Sequence, residues 1–228
     1  MQADLLAALV AFCVVTLITP GPNNVMLMAS GLNFGFRRAQ PHLWGVTLGF
    51  AVMVLAVGLG LGAVFAAWPS LYVLLKYAGA AYLLYLAWLI ATAEPVESGE
   101  LENSSPITFL QAAAFQWVNP KGWVMAVGAV SAYAAIAAFP YNMMLIAFLF
   151  GPLGILSSVT WVVLGQTLRR LLRHRRAVRA FNIVMALALV ASLWPIVADA
   201  WACDGCRSQL AGAASVFGLA ENAMRAGL

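Results

Sequence analysis

The stretch Thr19-Pro20-Gly21-Pro22-Asn23-Asn24 stands between two apolar runs, residues 5–18 and 25–32. Two prolines and a glycine in so short a space cannot continue an α-helix, because each proline removes a backbone donor and clashes with the preceding turn. At membrane depth, broken backbone is tolerated only where protein buries it or where it lines a wet cavity. We therefore interpret this break as the centre of the molecule.

The composition places the chain in a membrane. Of 228 residues, 64% are hydrophobic and 9% are charged, whereas soluble domains carry roughly 25% charged residues. A spanning helix needs about 20 apolar residues, so the length allows several spans joined by short loops. The N-terminus, Met-Gln-Ala-Asp, has no basic region and is predicted to enter the first span directly instead of forming a signal peptide.

Six apolar segments predict six transmembrane helices in an all-α membrane protein. A linker with four glutamates divides the segments into two groups of three, and the tail is too polar for a confident seventh span. The predicted spans are 4–32, 42–68, 71–93, 107–138, 141–168 and 180–200. The predicted organisation is a first three-helix repeat (1–93), an acidic cytoplasmic linker (94–106), a second three-helix repeat (107–200) and a C-terminal tail (201–228).

The positive charges predict orientation and do not indicate nucleic-acid binding. Arg37 and Arg38 lie in the first loop, and six arginines lie between 169 and 179 in the fifth. Loops two and four are essentially uncharged, apart from Lys76 nearby. Because basic loops stay in the cytoplasm, we predict loops one, three and five inside and both termini outside.

The first span of each group contains a proline break. Pro22 and Pro120 lie 98 residues apart, and groups of three spans must have opposite orientations, which is the inverted-repeat plan of secondary transporters. A broken helix exposes N–H groups at one end and carbonyls at the other, which suit a carboxylate and an ammonium respectively. The pair of breaks predicts a site for a zwitterion. The alternative is that the prolines only kink their helices.

Polar side chains beside the breaks are the candidate site residues. Asn23, Asn24 and Asn119 are predicted to bind substrate polar groups, to satisfy the backbone that the prolines free, or to do both. Lys121 is predicted to bind a carboxylate or to exchange a proton, and the alternative is that it extends to the membrane surface. The complete predicted substrate-binding set is Pro20, Gly21, Pro22, Asn23, Asn24, Gln116, Asn119, Pro120 and Lys121.

Other ionisable and polar residues carry less weight. Gln166, like Gln116, is a polar residue on an apolar span, and His42 and Asp4 are expected near membrane surfaces. Asp199 closes the sixth span and is expected to be wet. No Asp or Glu lies in the middle of a span, so proton coupling would use Lys121 or protonation of the substrate itself. No cofactor and no metal ion are predicted.

Several of these motifs resemble the LysE/RhtB family of amino-acid exporters. The first helix carries Thr19–Asn24, Ser30-Gly31 and Gly35-Phe36-Arg37-Arg38, and further matches are Gly79-Ala80-Ala81-Tyr82-Leu83 with Trp88, and Asn119-Pro120-Lys121. The resemblance covers about residues 15–200 and implies six helices in two inverted repeats, a frequent homodimer, and export of small amino acids or their derivatives across the bacterial inner membrane by proton motive force. Gln116-x-x-Asn119 and residues 181–184 also resemble the cysteine/O-acetylserine exporter branch.

Three rival functions are weighed against export of amino acids. A membrane thiol-electron carrier needs paired cysteines, but Cys13 stands alone in the first span and the fourth span has none. A metal-ion exporter needs grouped His, Cys or carboxylate ligands, and a non-transporting scaffold remains the third alternative. Cys203 and Cys206 are predicted to lie outside the cell, where a disulfide is permitted, and no chemistry is predicted for them.

Overall fold

The computed structural model describes residues 2–61, 67–93, 106–171 and 175–194, and within these ranges it contains helices and no strand. The prediction of an all-α protein is confirmed. The helices are α1 (Gln2–Ile18), α2 (Pro22–Arg38), α3 (Gln40–Ala56), α4 (Pro69–Ala91), α5 (Phe109–Gln116), α6 (Pro120–Tyr133), α7 (Tyr141–Leu171) and α8 (Arg175–Ala191). A π-helical segment, Val57–Leu61, extends α3, and a 3-10 turn, Ala134–Ile136, follows α6.

Long apolar helices are the feature that suits a membrane. By length and composition, Gln40–Leu61 and Tyr141–Arg169 can each span a bilayer, and the bent pair of α1 and α2 makes a third candidate among the described residues. Large apolar side chains on the outer surface, such as Leu110 and Val124, are about three-quarters exposed. The division into six spans and two inverted repeats remains a prediction. Most of the acidic linker and the whole tail lie outside the described residues.

The loop predicted for residues 169–179 is much shorter than expected. Helix α7 continues to Leu171 and α8 begins at Arg175, so five of the six arginines belong to helices. Arginine is among the better helix-forming residues, and its long side chain reaches water from a helix end. The charge therefore marks the ends of these helices and not an extended loop.

Glycines bring helices into backbone contact at two crossings. Gly31 of α2 lies against the Val162 carbonyl of α7, and Gly165 of α7 lies against the Met28 carbonyl of α2. Gly45 and Gly49 of α3 lie in the same way against α5, at Phe109 and Ala113. A Cβ at any of these glycines would overlap the facing helix, so only small residues allow this packing. We call Gly31, Gly45, Gly49 and Gly165 the glycine layer.

Polar contacts accompany the glycine layer on the side of Arg37 and Arg38. Asn33 of α2 and Asn182 of α8 exchange two amide hydrogen bonds of 3.0 Å, and Asn182 also donates to the Ala93 carbonyl. The Gln166 side chain accepts from the Phe36 N–H at 2.8 Å, next to the kink that Gly35 makes with φ of 74°. Gln166 therefore stabilises backbone at the end of α2.

His42 is covered by neighbouring helices, which the sequence did not predict. Its side chain is fully buried and lies between α3 and α2, where its Nδ1 is 2.8 Å from the Ser30 hydroxyl oxygen. The sequence suggested a surface because His42 follows Pro41 at the beginning of a span. In the structure α3 already packs against α2, α5 and α7 along its length, which removes this first turn from solvent. Asp4, by contrast, is exposed as expected.

Candidate functional site

The first helix break turns the chain by 55° between α1 and α2. Helix α1 ends at Ile18 and α2 begins at Pro22, whose missing N–H costs nothing at a helix start. Gly21 precedes it in an extended conformation, and no side chain caps the N-terminus of α2. The partial positive charge of this helix end is therefore available to a bound anion.

The carbonyl end of α1 is, in contrast, well supplied with donors. The Asn24 amide donates to the Leu17 and Thr19 carbonyls, both at 2.9 Å. Ser157 of α7 adds a hydrogen bond of 2.8 Å to the Leu17 carbonyl. The Lys121 ammonium, which comes from the other break, donates to the Thr19 carbonyl.

The second break, between α5 and α6, carries its own cap. Asn119 adopts an extended conformation before Pro120, and its side-chain oxygen accepts from the Lys121 backbone N–H at 3.2 Å. The two breaks are also joined through side chains. Asn23 and Gln116 exchange two amide hydrogen bonds of 2.8 and 3.1 Å.

A cavity of about 40 Å³ lies where the two breaks meet. One wall is polar and the other is apolar, so the cavity combines specific hydrogen-bonding groups with a surface that excludes water. Its volume holds about three water molecules and is too small for an amino acid, so helices must move apart before a substrate can enter. The lining residues are Thr16, Leu17, Gly21, Asn23, Asn24, Val46, Thr47, Phe50, Asn119, Lys121, Gly122, Met125, Phe150, Gly154, Ser157 and Ser158.

The predicted site residues divide into two groups by position. Five of them line the cavity, namely Gly21, Asn23, Asn24, Asn119 and Lys121. The other four, Pro20, Pro22, Gln116 and Pro120, are absent from its wall: the prolines shape the backbone at the breaks, and Gln116 is buried behind Asn23. Substrate contact by any of the nine stays a prediction.

Hydroxyl groups on the second and fifth predicted spans were not predicted for the site. Thr47 of α3 and Ser158 of α7 are buried, with their oxygens 3.3 Å apart, and Ser157 adjoins them. Phe50 and Phe150 form the apolar wall in an edge-to-face contact, with ring centroids 5.1 Å apart. A paired Ser157-Ser158 in an apolar span was the available signal, but periodicity alone could not show that this face of α7 meets the breaks.

The charge of the cavity is set by Lys121, which is half-buried. The wall contains no carboxylate and no histidine, and in the described part of the chain no three His, Cys, Asp or Glu side chains come together. Cys13 is a buried free thiol in an apolar cluster with Leu9 and Phe50. Such a cavity suits a ligand with a negatively charged group and hydrogen-bonding atoms.

Comparisons with known proteins agree with this geometry. The model of the family described as LysE type translocator matches residues 14–193. The chain is 35% identical to the cysteine/O-acetylserine efflux proteins of Escherichia coli (strain K12) and Shigella sonnei (strain Ss046), and 34% identical to that of Escherichia coli O139:H28. Each alignment covers 192 residues, 83% of this chain and 96% of the relative. No solved structure matches the chain.

Proposed function

The chain belongs to the LysE type translocator family, and we propose that it is a secondary transporter that exports small amino acids or their derivatives from the cytoplasm in exchange for protons. The similar proteins are named as efflux proteins for cysteine and O-acetylserine. Both molecules are zwitterions with a short side chain. We propose this class of substrate for the cavity between the two breaks.

The observation that carries the proposal is the uncapped N-terminus of α2 beside the Lys121 side chain. The helix end offers backbone N–H groups and a partial positive charge, and Lys121 offers a full one. Both groups favour a carboxylate, and both lie on one cavity. A zwitterion bound here places its carboxylate at α2.

The substrate ammonium has a natural acceptor in the same place. The Lys121 ammonium donates to the Thr19 carbonyl at the negative end of α1. We propose that a substrate ammonium takes over this carbonyl, while Lys121 turns to the substrate carboxylate. The hydroxyls of Thr47, Ser157 and Ser158 are left for the polar side chain, and the aromatic wall limits its size.

We also propose six spans arranged as inverted repeats in the bacterial inner membrane, with both termini outside. The 98-residue spacing of the two proline breaks supports the repeats, and both glycine crossings join one half of the chain to the other. The basic ends of α2, α7 and α8 support the orientation. No specific observation favours a metal-ion exporter, since the cavity carries a fixed cation.

The proposal is tested by transport in proteoliposomes that contain the purified protein. Vesicles loaded with unlabelled L-cysteine under reducing conditions, or with O-acetyl-L-serine, should take up the same labelled compound by exchange. A pH gradient should then drive net movement of the substrate against its concentration gradient. The substrate should enter vesicles that are acidic inside and leave vesicles that are alkaline inside. L-Lysine and L-leucine serve as larger comparison substrates.

Variants connect the transport to the cavity. Lys121→Gln should lower exchange at least about tenfold, because one charge-assisted hydrogen bond contributes about 1.5–3 kcal/mol. Arg37→Gln removes the same charge at the far end of α2 and should leave exchange within about twofold. Absence of transport for every compound tested in the wild type, or equal effects of the two variants, would contradict the proposal.

A further inference from the structure

One histidine lies inside the helix bundle without a complete set of partners. His42 on the first turn of α3 is fully buried. Its Nδ1 is hydrogen-bonded to the Ser30 hydroxyl, with the two atoms 2.8 Å apart. Its Nε2 is buried and has no hydrogen-bond partner among the residues that the structure describes. A buried nitrogen without a partner is costly to keep, so its presence calls for a functional reason.

The helices that pack against α3 offer His42 no counter-ion. In their described parts these elements are α2, α5, α6, α7 and the segment Val57–Leu61, and none of them contains an Asp or Glu. Their charged side chains are all basic, and their other titratable groups are tyrosines: Arg37, Arg38, Lys121, Tyr133, Tyr141, Arg169 and Arg170. The described parts of these helices place no carboxylate beside a protonated His42, so its charge would be buried without a counter-ion, which is costly.

His42 lies between the cavity and the arginine-bearing helix ends. Thr47, five residues further along α3, lines the cavity, and at 1.5 Å per residue it is about 7.5 Å away along the helix. His42 lies next to the glycine layer, because its partner Ser30 adjoins Gly31 and Gly45 is one helix turn from His42. Under the proposed orientation, this layer closes the cavity from the cytoplasm.

We propose that His42 is the proton-binding residue of the exporter and that its protonation opens the glycine layer to the cytoplasm; this rests on the proposed function. A proton that reaches Nε2 from the cavity creates a charge that the closed packing cannot stabilise. Separation of α3 from α2 admits water, which stabilises the imidazolium. The open layer then gives the cytoplasmic substrate access to the cavity.

The cycle that follows balances one proton against one substrate molecule. In the open state His42 releases its proton to the cytoplasm and becomes neutral, and the zwitterion binds at α2. Only the neutral imidazole fits the closed layer, and closure requires substrate at α2. Each closure therefore carries one substrate outward after one proton has been released to the cytoplasm. Ser30 is a positioning residue, because its hydroxyl orients the ring and leaves Nε2 free for the proton.

The test uses the full-length protein in proteoliposomes with L-cysteine and O-acetyl-L-serine as the probes. His42→Gln keeps an amide that can bond to Ser30 but takes no proton, and His42→Asn is the second variant in case the first is poorly folded. Trp161→Phe is the matched control, because its indole N–H is also buried without a partner and phenylalanine does not titrate. Exchange of labelled for unlabelled substrate measures whether each variant folds and binds.

For the wild type and Trp161→Phe, a gradient of one pH unit should drive about tenfold accumulation at one proton per substrate. The rate of exchange should also fall as the pH rises, because a neutral His42 leaves the layer closed for longer. His42→Gln and His42→Asn leave opening to the slower spontaneous separation of the neutral layer, so they should still exchange substrate, at a lower rate that does not depend on pH, and should show no accumulation. Loss of substrate exchange in both His42 variants, with normal exchange in Trp161→Phe, would overturn the proposal in favour of a structural role.

Failure of this inference can be told from failure of the proposed function. If the wild type accumulates substrate with the pH gradient and His42→Gln does so equally, the inference is wrong and the exporter stands. If the wild type exchanges substrate but no pH gradient drives it, both the proton coupling and the role of His42 fall. If the wild type exchanges no amino acid, the proposed function falls and the inference with it.

Discussion

The two helix breaks look equivalent in sequence, but different backbone groups are hydrogen-bonded at each. At the first break three side chains saturate the carbonyl end of α1, while the N-terminus of α2 carries no side-chain cap. At the second break Asn119 caps the N-terminus of α6. We therefore propose the first break, where the N-terminus of α2 carries no side-chain cap, as the substrate-binding end of the cavity.

The difference assigns separate tasks to the two halves of the chain. The first half supplies the open helix end, and the second supplies the cation, Lys121, which crosses to the first break. A strictly symmetric pair of breaks would offer two half-sites with the same chemistry. In the proposed transporter, the departure from symmetry makes a single site that can distinguish the two ends of a zwitterion.

The largest expected effect comes from removing the donor that saturates α1. Asn24→Ala deletes two hydrogen bonds to the Leu17 and Thr19 carbonyls and should lower the free energy of unfolding by about 2 kcal/mol. Thermal unfolding in detergent measures the change. A loss no greater than that of Asn119→Ala would show that the carbonyl end of α1 needs no such support.

A smaller effect is expected where Lys121 passes over the first break. An added Cβ at Gly21 would lie 2.7 Å from Cδ and 3.1 Å from Nζ of Lys121, so Gly21→Ala should displace the ammonium from Thr19. Exchange of labelled substrate should fall about tenfold, equivalent to about 1.4 kcal/mol, with little change in thermal stability. Gly128→Ala on α6, where an added Cβ meets only Phe12 at 3.6 Å, is the control and should transport normally.

Removal of the cap at the second break should cost less than the loss of Asn24. Asn119→Ala removes one N-cap hydrogen bond to the Lys121 N–H, which is worth about 1 kcal/mol. Asn119→Ser retains a capping oxygen and should recover most of the stability. If the serine variant is as unstable as the alanine variant, the side chain acts through packing and not as a cap.

The smallest effect concerns the amide pair that joins the breaks. A double-mutant cycle of Asn23→Ala and Gln116→Ala should give a coupling energy of about 0.6 kcal/mol, the average for polar pairs in membrane helices. Thermal unfolding of the wild type, both single variants and the double variant measures it. Additive losses would mean that the two breaks are energetically independent.

Much of the fold followed from local rules. The prolines predicted the breaks between α1 and α2 and between α5 and α6, because proline excludes an interior helical position in any environment. Helix α2, however, continues to Arg38, past the predicted span end at residue 32. The arginine segment was misjudged, since charge marks a membrane boundary but does not end a helix. The burial of His42 was not predicted for a related reason, because position within a span does not reveal which neighbours cover it.

The sequence by itself determined that this is a helical membrane protein with two proline breaks and one lysine beside them. Tertiary structure decided which helix ends stay unpaired, which hydroxyls face the cavity, and that His42 is buried next to the glycine layer. The physical reason is the separation along the chain over which each effect acts. Proline geometry and hydropathy act within one helix turn or one span. Hydrogen bonds such as Lys121 to Thr19 join residues about a hundred positions apart, and only packing brings them together.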